Sequence, residues 1–267
     1  TWGDCPFKYY AEKVLRIERP HPWGFDAARA GNVAHALWEK SWAERMATGE
    51  NLPALALKHW EAALSEQYPE LAQFPVRLEL FREHTFRMAA LQQELDDAGL
   101  AAARVSQQRE QLLEMEIGGV LFRGKFDRVD LLDDGSALVF DYKTGRSDNL
   151  AASLQLPAYA VILQRTREVP VSGYAYLSQR DRSFTGRLEG RSRKVLPGWG
   201  GRSGGKLEVV IEKARERLQA MAESVAASDF PPNYDNDKVC RYCDFQDLCR
   251  RKESPRVDRG EEDGNGS

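Results

Sequence analysis

The chain has 267 residues, of which 42% are hydrophobic and 30% charged, with a formal net charge of −3. That length suits one large domain or a domain with an accessory lobe, and the balance is that of an ordinary globular protein. It argues against a polybasic nucleic-acid coat, and no apolar run approaches the roughly 20 residues that span a bilayer. The first residue is Thr1 and no secretory pattern opens the chain, which points to a domain taken from a longer protein.

In chain order, residues 6–18 predict a short amphipathic helix after the Cys5-Pro6 turn, and Pro20 and Pro22 mark a break. Residues 27–47 predict a helix with Val33, Leu37, Trp38 and Trp42 on one side. Helices resume at 54–67 and 76–98, with Pro69 and Pro75 in the loop between them. The period then changes. Leu113, Met115 and Ile117 alternate with Glu114 and Glu116, which is strand spacing, and Gly118-Gly119 signals a hairpin. Residues 120–132 predict a second strand, Asp133-Asp134-Gly135 a turn, and 137–143 a third strand. The apolar start of that third strand implies a buried central position with polar residues delivered at its end.

A helix is expected over 150–165, a strand over 169–179 and the longest helix over 203–227, where Leu207, Val210, Ile211, Ala214, Leu218, Met221 and Val225 form one stripe. From Pro231 the chain reads as a loop carrying cysteines, and 253–267 as a polar, disordered tail. This order predicts an α/β fold, a mixed central sheet flanked by helices. The expected parts are a helical N-terminal region at 6–104, a catalytic core at 109–230, a cysteine region at 231–252 together with Cys5, and the tail.

Two segments carry the chemistry: Gly124-Lys125-Phe126-Asp127-Arg128-Val129-Asp130 and Phe140-Asp141-Tyr142-Lys143. On a strand, Asp141 and Lys143 share a face, and an antiparallel neighbour can place Asp127 beside them. Two carboxylates and an ammonium would then converge. Mg²⁺ or Mn²⁺ takes such oxygen ligands, polarises a phosphodiester and lowers the pKa of bound water. Lys143 could orient the nucleophile or stabilise charge on the phosphate. The Tyr142 carbonyl is a further candidate ligand. The bland alternative is a surface ion pair on an exposed hairpin. A buried strand ending in charge favours function.

Cys240, Cys243 and Cys249 form C-x2-C-x5-C, and Cys5 stands alone near the other end. Four thiolates suit a [4Fe–4S] cluster or a structural zinc. Residues 180–206 are rich in Arg, Lys and Gly and contain Trp199, which reads either as a basic flap over a DNA strand or as a solvated loop.

Asp127 followed by Asp141-Tyr142-Lys143 resembles the PD-(D/E)XK nuclease superfamily, and more closely its RecB- and AddB-type nuclease domains. Four further matches carry the resemblance: the Gly31 to Glu39 segment around His35, Gln155 to Tyr159, Cys5 to Tyr10, and Cys240 to Cys249. It implies a restriction-endonuclease-like fold and metal-dependent hydrolysis of DNA. His35, Asp127, Asp141 and the Tyr142 carbonyl would hold metal. Gln155 and Tyr159 would support the site or contact phosphate. The four cysteines would hold an iron–sulfur cluster clamping the two chain ends. Phe126 stands where the superfamily name has Pro. No P-loop occurs, so any helicase would lie on another domain or subunit.

The implied setting is recombinational repair of DNA ends in a bacterial-type cytoplasm. Single-stranded DNA is placed ahead of duplex, and exonuclease ahead of endonuclease action. Three alternatives stay open: a catalytically silent DNA-binding scaffold of a helicase complex, a CRISPR-adaptation-type nuclease, and an RNA-directed enzyme.

Overall fold

The computed structural model describes residues 5–17, 25, 27–145, 150, 153–199, 206–235, 237–241 and 243–250. The predicted tail at 253–267, the Pro20–Pro22 break and Arg202 lie outside them. Among the described residues the helices are α1 (Pro6–Tyr9), α2 (Ala27–Thr48), α3 (Leu52–Gln67), α4 (Pro75–Leu95), α5 (Ala101–Ala103), α6 (Gln155–Arg167), α7 (Gly190–Val195), α8 (Leu207–Ala226) and α9 (Asp237–Cys240). The strands are β1 (Arg104–Ile117), β2 (Val120–Leu132), β3 (Ala137–Lys143), β4 (Val171–Ser178) and β5 (Ser183–Leu188). None of these helices is long and apolar enough to cross a membrane.

The chain divides into two compact units. The larger, His21–Ala222, is built on one five-stranded sheet in the order β1-β2-β3-β4-β5. Neighbours are antiparallel except β3 and β4, which are parallel and therefore need the α6 crossover between them. β3 is buried along its length up to Lys143, as its apolar start requires.

Each face of the sheet has its own core. Leu132, Leu138, Phe140, Tyr142, Ala175, Leu177 and Leu188 pack on the helical layer of α2, α3 and α4. In α2 the buried residues Ala30, Val33, Ala34, Leu37, Trp38 and Trp42 recur at three- and four-residue spacing, so one stripe meets the sheet. Phe126, Val129, Val139, Tyr174 and Tyr176 face the other way, onto α6 and α8. Each large side chain withdrawn in this way stabilises the fold by about 1.5–3 kcal/mol.

A buried charge cluster crosses the helical layer. Arg128 and Asp130 are both fully buried. Arg128 Nε donates to Asp130 Oδ1 at 2.8 Å, and its guanidinium lies 4.0 Å from the Trp42 ring centroid. Arg104 bonds both Asp130 and Asp96, and Arg45 bonds Asp96. Buried carboxylates persist only when paired in this way. The cluster pins β2, one residue after Asp127, to α2 and to the end of α4.

The smaller unit comprises Thr1–Pro20 and Glu223–Ser267. It holds α1, which runs into a π-helical turn at Tyr10–Val14, and Tyr9 and Tyr10 stack on Phe230.

Several sequence expectations need correction. α6 begins at Gln155 rather than at 150, with Pro157 in its first turn, where a missing N–H costs nothing. α8 spans 20 residues and α2 spans 22, so α2 is the longer. The proposed flap is not one over its described length. Residues 183–188 form β5, paired along β4, and 190–195 form α7. Trp199 packs edge-on against Phe184 at 5.7 Å and against the core, so it is not free to stack on a base. Arg182 pairs with Glu94 and Arg191 with Asp133. The Gly and Arg content hid a strand whose Gly186 lies against Tyr174 and Ala175, where no side chain fits.

Candidate active site

The β2–β3 ladder ends at Arg128 opposite Phe140, while β3 stays paired to β4 as far as Lys143. Beyond that point the Tyr142 N–H has no partner on the β2 backbone, and it donates instead to Asp127 Oδ2 at 2.7 Å. This bond ties Asp127 to the strand that carries Asp141 and Lys143. Both aspartates are buried, with 8% and 2% exposure.

Lys143 Nζ lies 2.6 Å from Asp141 Oδ2 and donates to Gln155 Oε1 at 2.8 Å. Gln155 Nε2 donates to Asp141 Oδ1 at 2.8 Å and to the Tyr159 hydroxyl at 3.2 Å. One amide thus spaces the acid and the amine. It is placed by the start of α6, where the Leu156 N–H donates to the buried Tyr176 hydroxyl at 3.1 Å. Tyr159 packs at a tilt against Phe126, with ring centroids 4.6 Å apart. A Cβ at Gly124 would sit 3.1 Å from the Tyr159 ring, so the glycine admits that ring. Phe126, in the position where Pro is expected, is therefore the floor under Tyr159.

His35 comes from the edge of the α2 stripe, with its ring centroid 6.3 Å from that of Tyr142. Its Nδ1 lies 3.4 Å from Asp127 Oδ1 and 3.3 Å from Glu110 Oε1. Ligand atoms of His35, Glu110 and Asp127 all lie within 4.8 Å of one another.

Glu110 is the residue that reading the sequence missed. A signal was present: counting back from the Gly118-Gly119 hairpin along the β1–β2 register places Glu110 directly across from Asp127. Both strands change side-chain parity there. Gln108 and Gln111 of β1 both reach Arg167 of α6, and Phe126 and Val129 of β2 both face the α6 core. An odd separation on one face requires an irregularity. Glu110 supplies it with a positive φ of 49°, uncommon for a residue with a side chain and costing about 1–3 kcal/mol.

Electrostatics mark the same spot. Burial, then the neighbouring Asp141 carboxylate, pushes the Asp127 carboxyl up to about 7. Burial also raises Asp141, more than Lys143 lowers it. Burial alone would lower His35, but Glu110 and then Asp127 outweigh it and raise the imidazole. Burial alone would raise Glu110, but the hydrogen bonds from His35 and Lys125 hold it below its usual range. Two buried acids, of which Lys143 faces Asp141 and His35 faces Asp127, beside a third carboxylate, form a donor set that fits a divalent cation.

In the smaller unit all four cysteines are free thiols, with Cys5 and Cys240 buried. The Asn233 N–H donates to Cys5 Sγ at 3.3 Å, and Cys240 Sγ donates to the Asn233 carbonyl at 3.7 Å. Cys249 Sγ donates to the Gln246 carbonyl at 3.4 Å.

The central strand thus delivers Asp141, Tyr142 and Lys143 beside Asp127 of the adjacent antiparallel strand. The family model of the PD-(D/E)XK nuclease superfamily matches residues 1–250, and the chain belongs to that superfamily. Its fold is accordingly restriction-endonuclease-like. The chain is 30% identical over 145 residues to the Gene 69 protein of Mycobacterium phage D29, a match covering 52% of this chain and 46% of that protein. The matched segment is thus about half of the relative's length. Among solved structures it is similar to a candidate exonuclease from Eubacterium rectale (12% identity, TM-score 0.45, covering 94% of this chain and 82% of that one) and to SSO0001 (16% identity, TM-score 0.33, covering 91% and 93%). TM-scores this low define no shared fold, and the assignment rests on the family model.

Proposed function

We propose that this nuclease hydrolyses DNA phosphodiester bonds with Mg²⁺ or Mn²⁺, and that Asp127, Asp141, Lys143, Gln155, Tyr159 and His35 form its working site. The observation that carries the reading is the join between the acid pair and the amine: Tyr142 N–H to Asp127, and Asp141 to Lys143 and Gln155. His35, Asp127 and Asp141, with the Tyr142 carbonyl, would hold the cation. When bound, it supplies Lewis-acid polarisation of a phosphoryl oxygen and a more acidic water.

The protein's own groups divide the remaining work. Lys143 presents an ammonium to the attacked phosphate and stabilises the charge that builds there. Gln155 holds that ammonium at its Oε1 and the Asp141 carboxylate at its Nε2, so neither rotates away. The Tyr142 amide fixes one Asp127 oxygen and leaves the other toward His35. Tyr159 braces Gln155.

The four cysteines are read as ligands of a [4Fe–4S] cluster ahead of zinc, although among the described residues no three of their thiols gather within 4.8 Å of one another. The Asn233 N–H aimed at Cys5 Sγ is the kind of donor that stabilises a metal-bound thiolate. Residues 1–252 are read as one RecB/AddB-type nuclease domain working on DNA ends, beside a helicase domain or subunit. Single-stranded DNA and exonuclease action are placed first.

Asp141→Ala and Lys143→Ala should each lower cleavage of single-stranded DNA by roughly a hundredfold or more while the urea midpoint stays within the folded range. Near-normal cleavage by either variant rejects the assignment.

A further inference from the structure

We propose that Glu110 is a direct member of the cation site, and that its ion pair with Lys125 must be exchanged for the metal when the ion arrives. The inference rests on the metal-dependent reading above and deepens it: the ligand set gains a carboxylate from β1, and with it a built-in competitor.

Three independent features converge on Glu110. The first is geometry: its Oε1 reaches His35 Nδ1 at 3.3 Å, and it shares with His35 and Asp127 the closest gathering of metal-type ligand atoms among the described residues. The second is backbone conformation. Glu110 occupies the left-handed region inside a strand, a conformation that costs free energy and persists where the surroundings over-determine it. The turn it makes is what changes parity in β1 opposite Asp127. The third is its partner. Glu110 Oε2 lies 2.6 Å from Lys125 Nζ, on a side chain 63% exposed, while the Glu110 side chain itself is only 12% exposed. The carboxylate is thus anchored inward while its counter-ion comes from the solvent side and can leave at small cost, as exposed ion pairs are weak.

A cation approaching His35 and Asp127 meets a third ligand atom already within 4.8 Å of both. Binding the cation on the Oε1 side sets a divalent charge against the ammonium held at Oε2, and the two repel. No covalent bond changes, and Lys125 returns to water as the ammonium it already is. Lys125 and the metal therefore compete for Glu110, and substitutions at the two positions must move metal affinity in opposite directions.

The test is a titration of the whole chain with Mn²⁺ alone, without DNA, reading free Mn²⁺ by its electron paramagnetic resonance signal. Glu110→Gln keeps the shape and the backbone conformation but removes the charge. It should weaken Mn²⁺ binding by at least the roughly tenfold that even an outer partner of a metal site costs. Lys125→Ala, at an exposed position tolerant of change, should tighten it severalfold. Asp127→Asn should lose binding and serves as the reference.

Glu110→Gln with wild-type affinity beside a non-binding Asp127→Asn overturns the Glu110 assignment and leaves the nuclease reading standing. Should Glu110→Gln fail to fold, Lys125→Ala decides: unchanged or weaker affinity there overturns the exchange. A wild-type chain that binds no Mn²⁺ overturns both readings together.

Discussion

Asp127 gives the most quantitative prediction, because its protonation couples the site to stability. Its carboxyl moves from 3.8 up to about 7 on folding, through burial first and the Asp141 carboxylate second. The folded pKa is raised, so between those values the folded chain holds a proton that the unfolded chain has released. Stability must then fall as pH rises through that window. The slope for one proton is at most about 1.4 kcal/mol per pH unit, and the neighbouring Asp141 spreads it over a wider window, for a loss on the order of a few kcal/mol above about pH 7. Asp141, also raised, adds in the same direction.

Asp127→Asn removes the charge and keeps an oxygen that can accept the Tyr142 N–H. In EDTA the variant should be more stable than the wild type by about 1–3 kcal/mol at about pH 8, with the gap closing toward about pH 5. Urea denaturation at a series of pH values measures it. A variant less stable than the wild type at the higher pH, or a difference that does not vary with pH, would refute the reasoning. Loss of cleavage by the same variant would show stability exchanged for function at one atom.

Gly124→Ala places a methyl group 3.1 Å from the Tyr159 ring and 3.2 Å from Ile162. It should destabilise by about 1–3 kcal/mol and lower cleavage through Gln155, which paired urea midpoints and rates would check. Cys249→Ala should lower thermal stability and iron content together. Full thermal stability with lost catalysis alone, or zinc in place of iron in the purified wild type, contradicts the cluster assignment.

Much of the sheet was legible because its signals are local. The alternation at Leu113, Met115 and Ile117, the Gly118-Gly119 turn and the apolar run into Asp141 each dictate a backbone state within a few residues. β5 was not legible. Its Ser183–Leu188 segment owes its strand state to pairing with β4, a neighbour its own composition does not announce. Trp199 and the nearby arginines suggested nucleic-acid contact, whereas tertiary partners such as Phe184, Glu94 and Asp133 occupy them.

At the site, spacing alone brings Asp141 and Lys143 to one face, and the helix period brings Gln155 above Tyr159. Glu110 escaped because it belongs to no motif. Its role follows from register across a hairpin and from a backbone kink, both properties of two strands together.

Cleavage itself is the most direct measurement. End-labelled single- and double-stranded DNA should be incubated with the wild-type chain in Mg²⁺, in Mn²⁺ and in EDTA. The site built around Asp127, Asp141 and Lys143 predicts metal-dependent release of short products, fastest from single strands and abolished by EDTA. Intact DNA under every metal condition, or cleavage that continues undiminished in EDTA, would contradict it.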